Sequence, residues 1–244
     1  MRLSFSILPI ALIWGFLHAW LGAPQQKPSE TVSLETVLRK MDSAAADFRT
    51  TQADFEWDRY EKAIDEVDDV QSGTIYYRRT GKEVEMKADI KMAGNSPDKL
   101  TPEAKYVLFS NGKIQVYLPK PNQLTVYEAG KNRAEIEAYL VLGFGGSGEE
   151  LTKAFKVTYQ GPEAINNVAT ARLQLIPKSE RVRNNFKEIL LWIDLERGVS
   201  VQQKFTDPQG DFRLAKYSGI RVNEKVGNDV FQLKTNGKTQ TVTH

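Results

Sequence analysis

Histidine and cysteine carry most acid–base, nucleophilic and metal chemistry near neutral pH, and this chain has almost none of either. Its two histidines are His18, inside an apolar N-terminal run, and His244, the last residue. There is no cysteine. Histidine-based triads, histidine metal sites, thiolate nucleophiles, disulfides and a lipidated N-terminal cysteine are therefore excluded from the body of the chain. Three other stretches imitate chemical motifs. Gly143-Phe144-Gly145-Gly146-Ser147-Gly148 spells the glycine pattern of a dinucleotide loop, but it follows a helical segment, and Glu149-Glu150 would repel a pyrophosphate. The same letters miss the nucleophile elbow, because Glu149 stands where its second glycine belongs. Asp65-Glu66-Val67-Asp68-Asp69 lacks calcium-loop spacing and reads as solvated loop. No metal and no cofactor are expected, and an enzyme is a poor reading. Gly143 and Gly145 read instead as a flexible joint between two helices.

With catalysis set aside, charge and patterning carry the reading. The 33 basic and 31 acidic residues are well mixed and leave a net charge of +2, without the segregated basic face that nucleic acid requires. At 41% hydrophobic residues the chain can build one good core.

The N-terminal region reads as export machinery. Arg2 precedes an almost wholly apolar run from Leu3 to Leu21, small residues follow at Gly22-Ala23, and Pro24 to Val32 is a polar linker. The expectation is a signal peptide over residues 1–23 and a location outside the cytoplasm. An uncleaved single-span anchor is the alternative, which Pro9 and Gly15 disfavour.

From Ser33 a helix is expected, with Leu34, Val37, Leu38, Met41 and Ala45 on one stripe. From Thr51 the period switches to two. Ala53, Phe55 and Trp57 alternate with acidic residues, then Arg59–Val70 reads as a long charged loop. Gly73–Arg79 and Glu83–Ile90 are further strands, and Ala93–Glu103 is loop. Lys105–Tyr127 is a three-strand meander whose Asn111-Gly112 is a strong hairpin signal. Helices are expected at Asn132–Leu142 and Glu149–Phe155. Strands follow at Lys156–Gln160, Val168–Ile176, Phe186–Asp194, Val199–Thr206 and Phe212–Val222, with Phe231–Leu233 as a last edge. The sum is a mainly β (α+β) domain over residues 33–233, with a polar tail at 234–244. It is built as a large curved antiparallel sheet with helices on its concave face.

Several strings in this order resemble the periplasmic outer-membrane lipoprotein carrier family (LolA-like, lipoprotein-sorting proteins). They are Phe48…Thr51-Gln52…Phe55; the run from Gly73 to Arg79; Ser110-Asn111-Gly112-Lys113 with Val116-Tyr117 and Pro119; and Leu173…Pro177 followed by Ile193…Gly198…Phe205. The likeness runs roughly from Leu34 to Leu233. It implies an incomplete β-barrel with a helical lid whose cavity holds the acyl chains of a lipoprotein, or another lipid, in transit to the outer membrane. It implies a monomer, inner-membrane release machinery and an outer-membrane acceptor as partners, and a periplasmic location. Lid control falls by position on Arg79, six residues after Gly73, with Gly143 and Gly145 as the joint. Arg78 stands beside it, and Thr80 replaces the family's usual proline. The cavity candidates are Phe55, Trp57, Ile75, Tyr77, Val116, Leu173 and Leu175.

Two other classes remain open. One is a lipid-binding or envelope-sensing module on the same fold, tethered by an uncleaved N-terminal segment. The other is an enzyme or polysaccharide binder using the concave sheet, which calls for polar residues facing inward.

Overall fold

The computed structural model describes residues 32–81, 83–130 and 133–244; within 133–140, the side chains of residues 134–136 and 138 are not described. The expected signal peptide and most of the linker lie outside the described residues. The elements run α1 (Leu34–Asp47), β1 (Thr50–Glu61), β2 (Glu66–Thr80), β3 (Glu83–Gly94), β4 (Thr101–Ser110), β5 (Lys113–Leu118), β6 (Gln123–Glu128), α2 (Arg133–Leu140) and α3 (Gly148–Ala154). Then come β7 (Phe155–Ile165), β8 (Val168–Pro177), α4 (Glu180–Arg183), β9 (Glu188–Asp194), β10 (Ser200–Thr206), β11 (Phe212–Val222) and β12 (Gln240–Thr243).

All the strands join one sheet in the order β12-β6-β5-β4-β3-β2-β1-β11-β10-β9-β8-β7. Every pairing is antiparallel except β12 on β6, and β7 and β12 remain as open edges. The sheet does not close. Register breaks at Gln52/Asp54, Ser72/Gly73, Ile90/Met92, Tyr159/Pro162 and Ser200/Gln202 insert extra residues, and such bulges bend and over-twist a strand. A sheet this wide curls rather than staying flat.

Gly73 shows why the sequence is constrained at one of these bends. It lies inside β2, not at its start, and a Cβ there would fall 1.9 Å from the Asp89 carbonyl oxygen. At the meander turn, Asn111 and Gly112 adopt φ of 53° and 72°, the doubly positive geometry of a two-residue hairpin.

The inner face carries two buried clusters. One joins Phe55, Ile75, Tyr77, Met86, Ala88, Phe109, Ala215 and Tyr217 of the sheet to Phe48 and Phe144. The other joins Leu173, Leu175, Ile189, Leu191 and Ile193 to Val37 and Met41 of α1 and to Leu142 and Leu151. The helices therefore cover the sheet's apolar face. The Ser33 hydroxyl caps α1 by accepting from the Thr36 amide at 3.2 Å. α3 begins on a full capping box: the Glu150 amide donates to the Ser147 hydroxyl at 3.0 Å, and the Ser147 amide donates to the Glu150 carboxylate at 3.1 Å.

Four expectations are corrected. Residues 59–70 are not a loop: β1 and β2 extend to a tight turn at residues 62–65, tied by a bidentate Arg59–Asp68 pair. The 93–103 loop shrinks, because β3 reaches Gly94 and β4 begins at Thr101. Phe231 ends a 3-10 turn (Asn228–Phe231) under the Arg78 guanidinium instead of opening an edge strand. The segment expected as a polar tail contributes β12, parallel to β6.

Candidate functional site

The segment between α2 and α3 is the centre of the site. Gly143 and Gly145 hold φ of 77° and 89°, which favours glycine at both. Any side chain would also collide: a Cβ at 143 would meet Ser200 Cβ at 2.3 Å, and one at 145 would meet the Phe48 ring at 2.5 Å. The two glycines turn Phe144, fully buried, down into the sheet. Its ring stacks on Tyr77 at 5.0 Å and meets Tyr217 edge-on at 4.7 Å.

Three carbonyls of this segment are tied to the framework beneath it. Gln203 Nε2 donates to Leu142 O at 2.5 Å. The Ser200 amide donates to Gly143 O at 2.8 Å. Arg79 Nη2 donates to Gly145 O at 2.8 Å, and its Nη1 donates to Ala45 O at 3.4 Å, with the guanidinium 5.4 Å from the Phe48 ring centroid. Arg79 thus joins β2, the end of α1 and the glycine joint. Arg78 points to the opposite face, as alternation requires. It bonds Glu85 and Asn228 and caps the Phe231 ring at 4.2 Å. α2 is held separately by Arg133, which pairs with Glu83 at the start of β3 and with Glu137 at 2.7 Å.

Two cavities flank this segment. A cleft of about 450 Å³ lies beneath α2 and α3, lined by Arg79, Val84, Glu137, Val141, Leu142, Leu151 and Phe155. A second, of about 270 Å³, runs from Tyr77, Met86 and Tyr217 past Ile75 and Trp57 to a polar rim of Arg59, Asp69, Gln71 and Arg213, with Tyr139 and Leu140 of α2 and Phe205 of β10 also lining it. Apolar pockets that hold small ligands are of this order of size, about 300–1,000 Å³. Burial pushes the Tyr77 hydroxyl well above its ordinary range. Burial likewise raises Tyr217, against the opposing hydrogen bonds from Trp57 and Tyr77. Both face the second cavity as neutral phenols. The Tyr217 hydroxyl donates to Gln203 Oε1 at 3.3 Å, which links the sheet to the same glutamine that holds Leu142.

Of the cavity candidates, Trp57, Ile75 and Tyr77 line the second cavity. Phe55 is buried behind them, its ring 4.2 Å from that of Trp57. Val116 pairs with Val107 and so shares the inner face, but it lies on β5, towards the β12 end of the sheet, and lines neither cavity. Leu173 and Leu175 line neither, because α1, Leu142 and Leu151 seal them in the other cluster. Sequence reasoning missed Phe144, Gln203 and Tyr217. The only local hint of the first is a single large aromatic in a run of glycines.

No family model matches the sequence, and no curated protein matches it. Solved structures do match by shape. An uncharacterized conserved protein from Thermus thermophilus aligns with a TM-score of 0.52 at 12% identity, over 87% of this chain and 100% of that one. MucB aligns with a TM-score of 0.51 at 12% identity, over 86% of this chain. This chain shares the MucB fold. It spans 65% of MucB's length. A putative outer membrane lipoprotein-sorting protein domain from Vibrio parahaemolyticus is also similar, at a TM-score of 0.43 and 12% identity, over 81% of this chain and 95% of that one. Among the described residues no helix is long and apolar enough to cross a membrane.

Proposed function

We propose that this protein is an envelope carrier that holds the acyl chain of a lipoprotein, or of another lipid, on the inner face of its sheet. The observation that carries the reading is the seat of Phe144. A single aromatic ring fills the apolar trough between Tyr77 and Tyr217, on a segment pinned by three hydrogen bonds to backbone carbonyls. An acyl chain that enters the trough displaces Phe144 and swings the glycine joint outward. Burying each methylene contributes about 0.8 kcal/mol, so one chain binds firmly yet reversibly. Re-forming the three bonds and re-seating the ring drives the cargo out again. Arg79, Gly143 and Gly145 control this exchange, and Trp57, Ile75 and Tyr77 are the sheet residues in contact with cargo. In a carrier, export would place the protein in the periplasm, with a release partner on the inner membrane and an acceptor on the outer one.

Uptake of a fluorescent fatty acid tests the reading. Wild type should bind it, and folded Tyr217→Glu should not, since a carboxylate in this apolar trough is costly to bury. Equal uptake by the two proteins would remove the site.

A second reading on the same fold makes lipid binding a signal, with an uncleaved N-terminal segment tethering the module. N-terminal sequencing of the mature protein separates the two: a chain beginning near residue 24 supports the free carrier.

A further inference from the structure

The rim of the second cavity holds a pairing that core packing does not explain. Arg59 of β1 lies directly opposite Arg213 of β11 in the antiparallel ladder, so both side chains share the inner face. Like charges placed opposite each other destabilise a sheet. Arg59 is neutralised by its bidentate contact with Asp68. Arg213 is exposed and has no hydrogen-bond or ion-pair partner among the described residues. Of the other charged groups here, Asp69 keeps its carboxylate on the rim opposite Arg59, and Lys105 and Asp58 are turned away from Arg213. Asp69 accepts from Gln71 at 2.9 Å, Lys105 reaches Gln71 at 3.4 Å, and Asp58 turns to Lys216 on the outer face at 2.7 Å. One cavity thus runs from an unpaired guanidinium to the buried faces of Tyr77 and Tyr217. Tyr217 lies four residues on from Arg213, about 13 Å along β11.

We infer that this cavity selects an anionic single-chain amphiphile, with its carboxylate or phosphate headgroup at Arg213 and its tail running past Trp57 towards Phe144. The inference rests on the acyl-chain reading above and narrows it. A guanidinium presents a planar fork of donors that matches either anion. Its position at the mouth leaves the headgroup partly in water, so the tail holds the ligand and the headgroup sets which ligand is chosen. A neutral acyl chain gains nothing from Arg213.

The test compares dodecanoate, dodecyl phosphate and dodecanol by titration calorimetry on wild type and on Arg213→Gln, with Arg221→Gln as a surface-charge control. One or both anions should bind wild type about two- to five-fold more tightly than the alcohol, the range expected for an exposed ion pair. Which anion leads identifies the headgroup. Arg213→Gln should erase the preference without weakening dodecanol, and Arg221→Gln should keep it. The variant should fold at least as well as wild type, because it relieves the facing of two arginines. Equal binding of all three ligands by wild type, or a preference unchanged in Arg213→Gln, overturns this inference and leaves acyl-chain binding standing. Failure to bind any of the three overturns both.

Discussion

Arg79 Nη2 donates to the carbonyl of Gly145 at 2.8 Å, and its neighbour Arg78 faces the opposite side of the sheet. Two adjacent arginines on one strand therefore have unrelated tasks. Arg79→Leu removes a charge-assisted bond that, on the carrier reading, holds the glycine joint closed. Such a bond is worth about 1.5–3 kcal/mol, so ligand affinity should rise about ten- to a hundred-fold and handover should slow. Arg78→Leu should leave affinity unchanged and loosen the segment around Phe231. Binding and transfer assays on both variants decide. Normal handover by Arg79→Leu ends the latch, and a defect confined to Arg78→Leu moves it to the other face.

Phe144→Ala should act in opposite directions on stability and uptake. Emptying a buried phenylalanine site costs about 3–5 kcal/mol, so the melting temperature should fall. On the carrier reading the vacated space is the one the acyl chain takes, so affinity should rise and saturating ligand should restore much of the melting temperature. If Phe144 were only core, both quantities would fall together.

Gly145→Ala combines a strained positive φ with a Cβ 2.5 Å from the Phe48 ring. It should lift the joint and expose the amides around Phe144, which now donate to Val141 O at 2.9 Å from Phe144 and 3.0 Å from Gly146. Hydrogen exchange over 141–148 should accelerate while the β2–β4 amides stay protected. Uniform acceleration across the sheet would mean global destabilisation instead.

Alkaline pH supplies an independent probe. Unfolded tyrosines ionise near pH 10. Burial raises Tyr77 and Tyr217 above that value, and pushes Tyr139 up to about 12. Above pH 10 the folded chain keeps protons that the unfolded chain has released. The stabilisation these neutral phenols give is complete below pH 10 and is lost as pH climbs through their folded values. Tyrosinate absorbance should show a late, cooperative group of tyrosines, and Tyr217→Phe should remove one from it. A single smooth titration near 10 would contradict their burial.

Much of this arrangement is legible in the sequence. Strict alternation gives the strands and their faces, and Asn111-Gly112 gives the hairpin. What escapes is set by distant contacts. Residues 59–70 read as loop because both faces of the β1–β2 tip reach water, which removes the apolar half of the alternation. β12 has no apolar pattern, and its parallel pairing with β6 depends on the path of residues 223–239. Leu173 and Leu175 are apolar and inward as expected, yet α1 covers them, and no period within β8 records that. Phe144 owes its role to the positive φ of its two flanking glycines.

The most direct measurement is the identity of what the protein carries. Wild type and Arg79→Leu, purified from the native host without detergent, should be extracted and analysed by mass spectrometry. Both should yield a molecule bearing an acyl chain, at up to one per protein, with the higher occupancy in Arg79→Leu. Recovery of folded protein free of any acyl-bearing molecule in both samples would contradict the account.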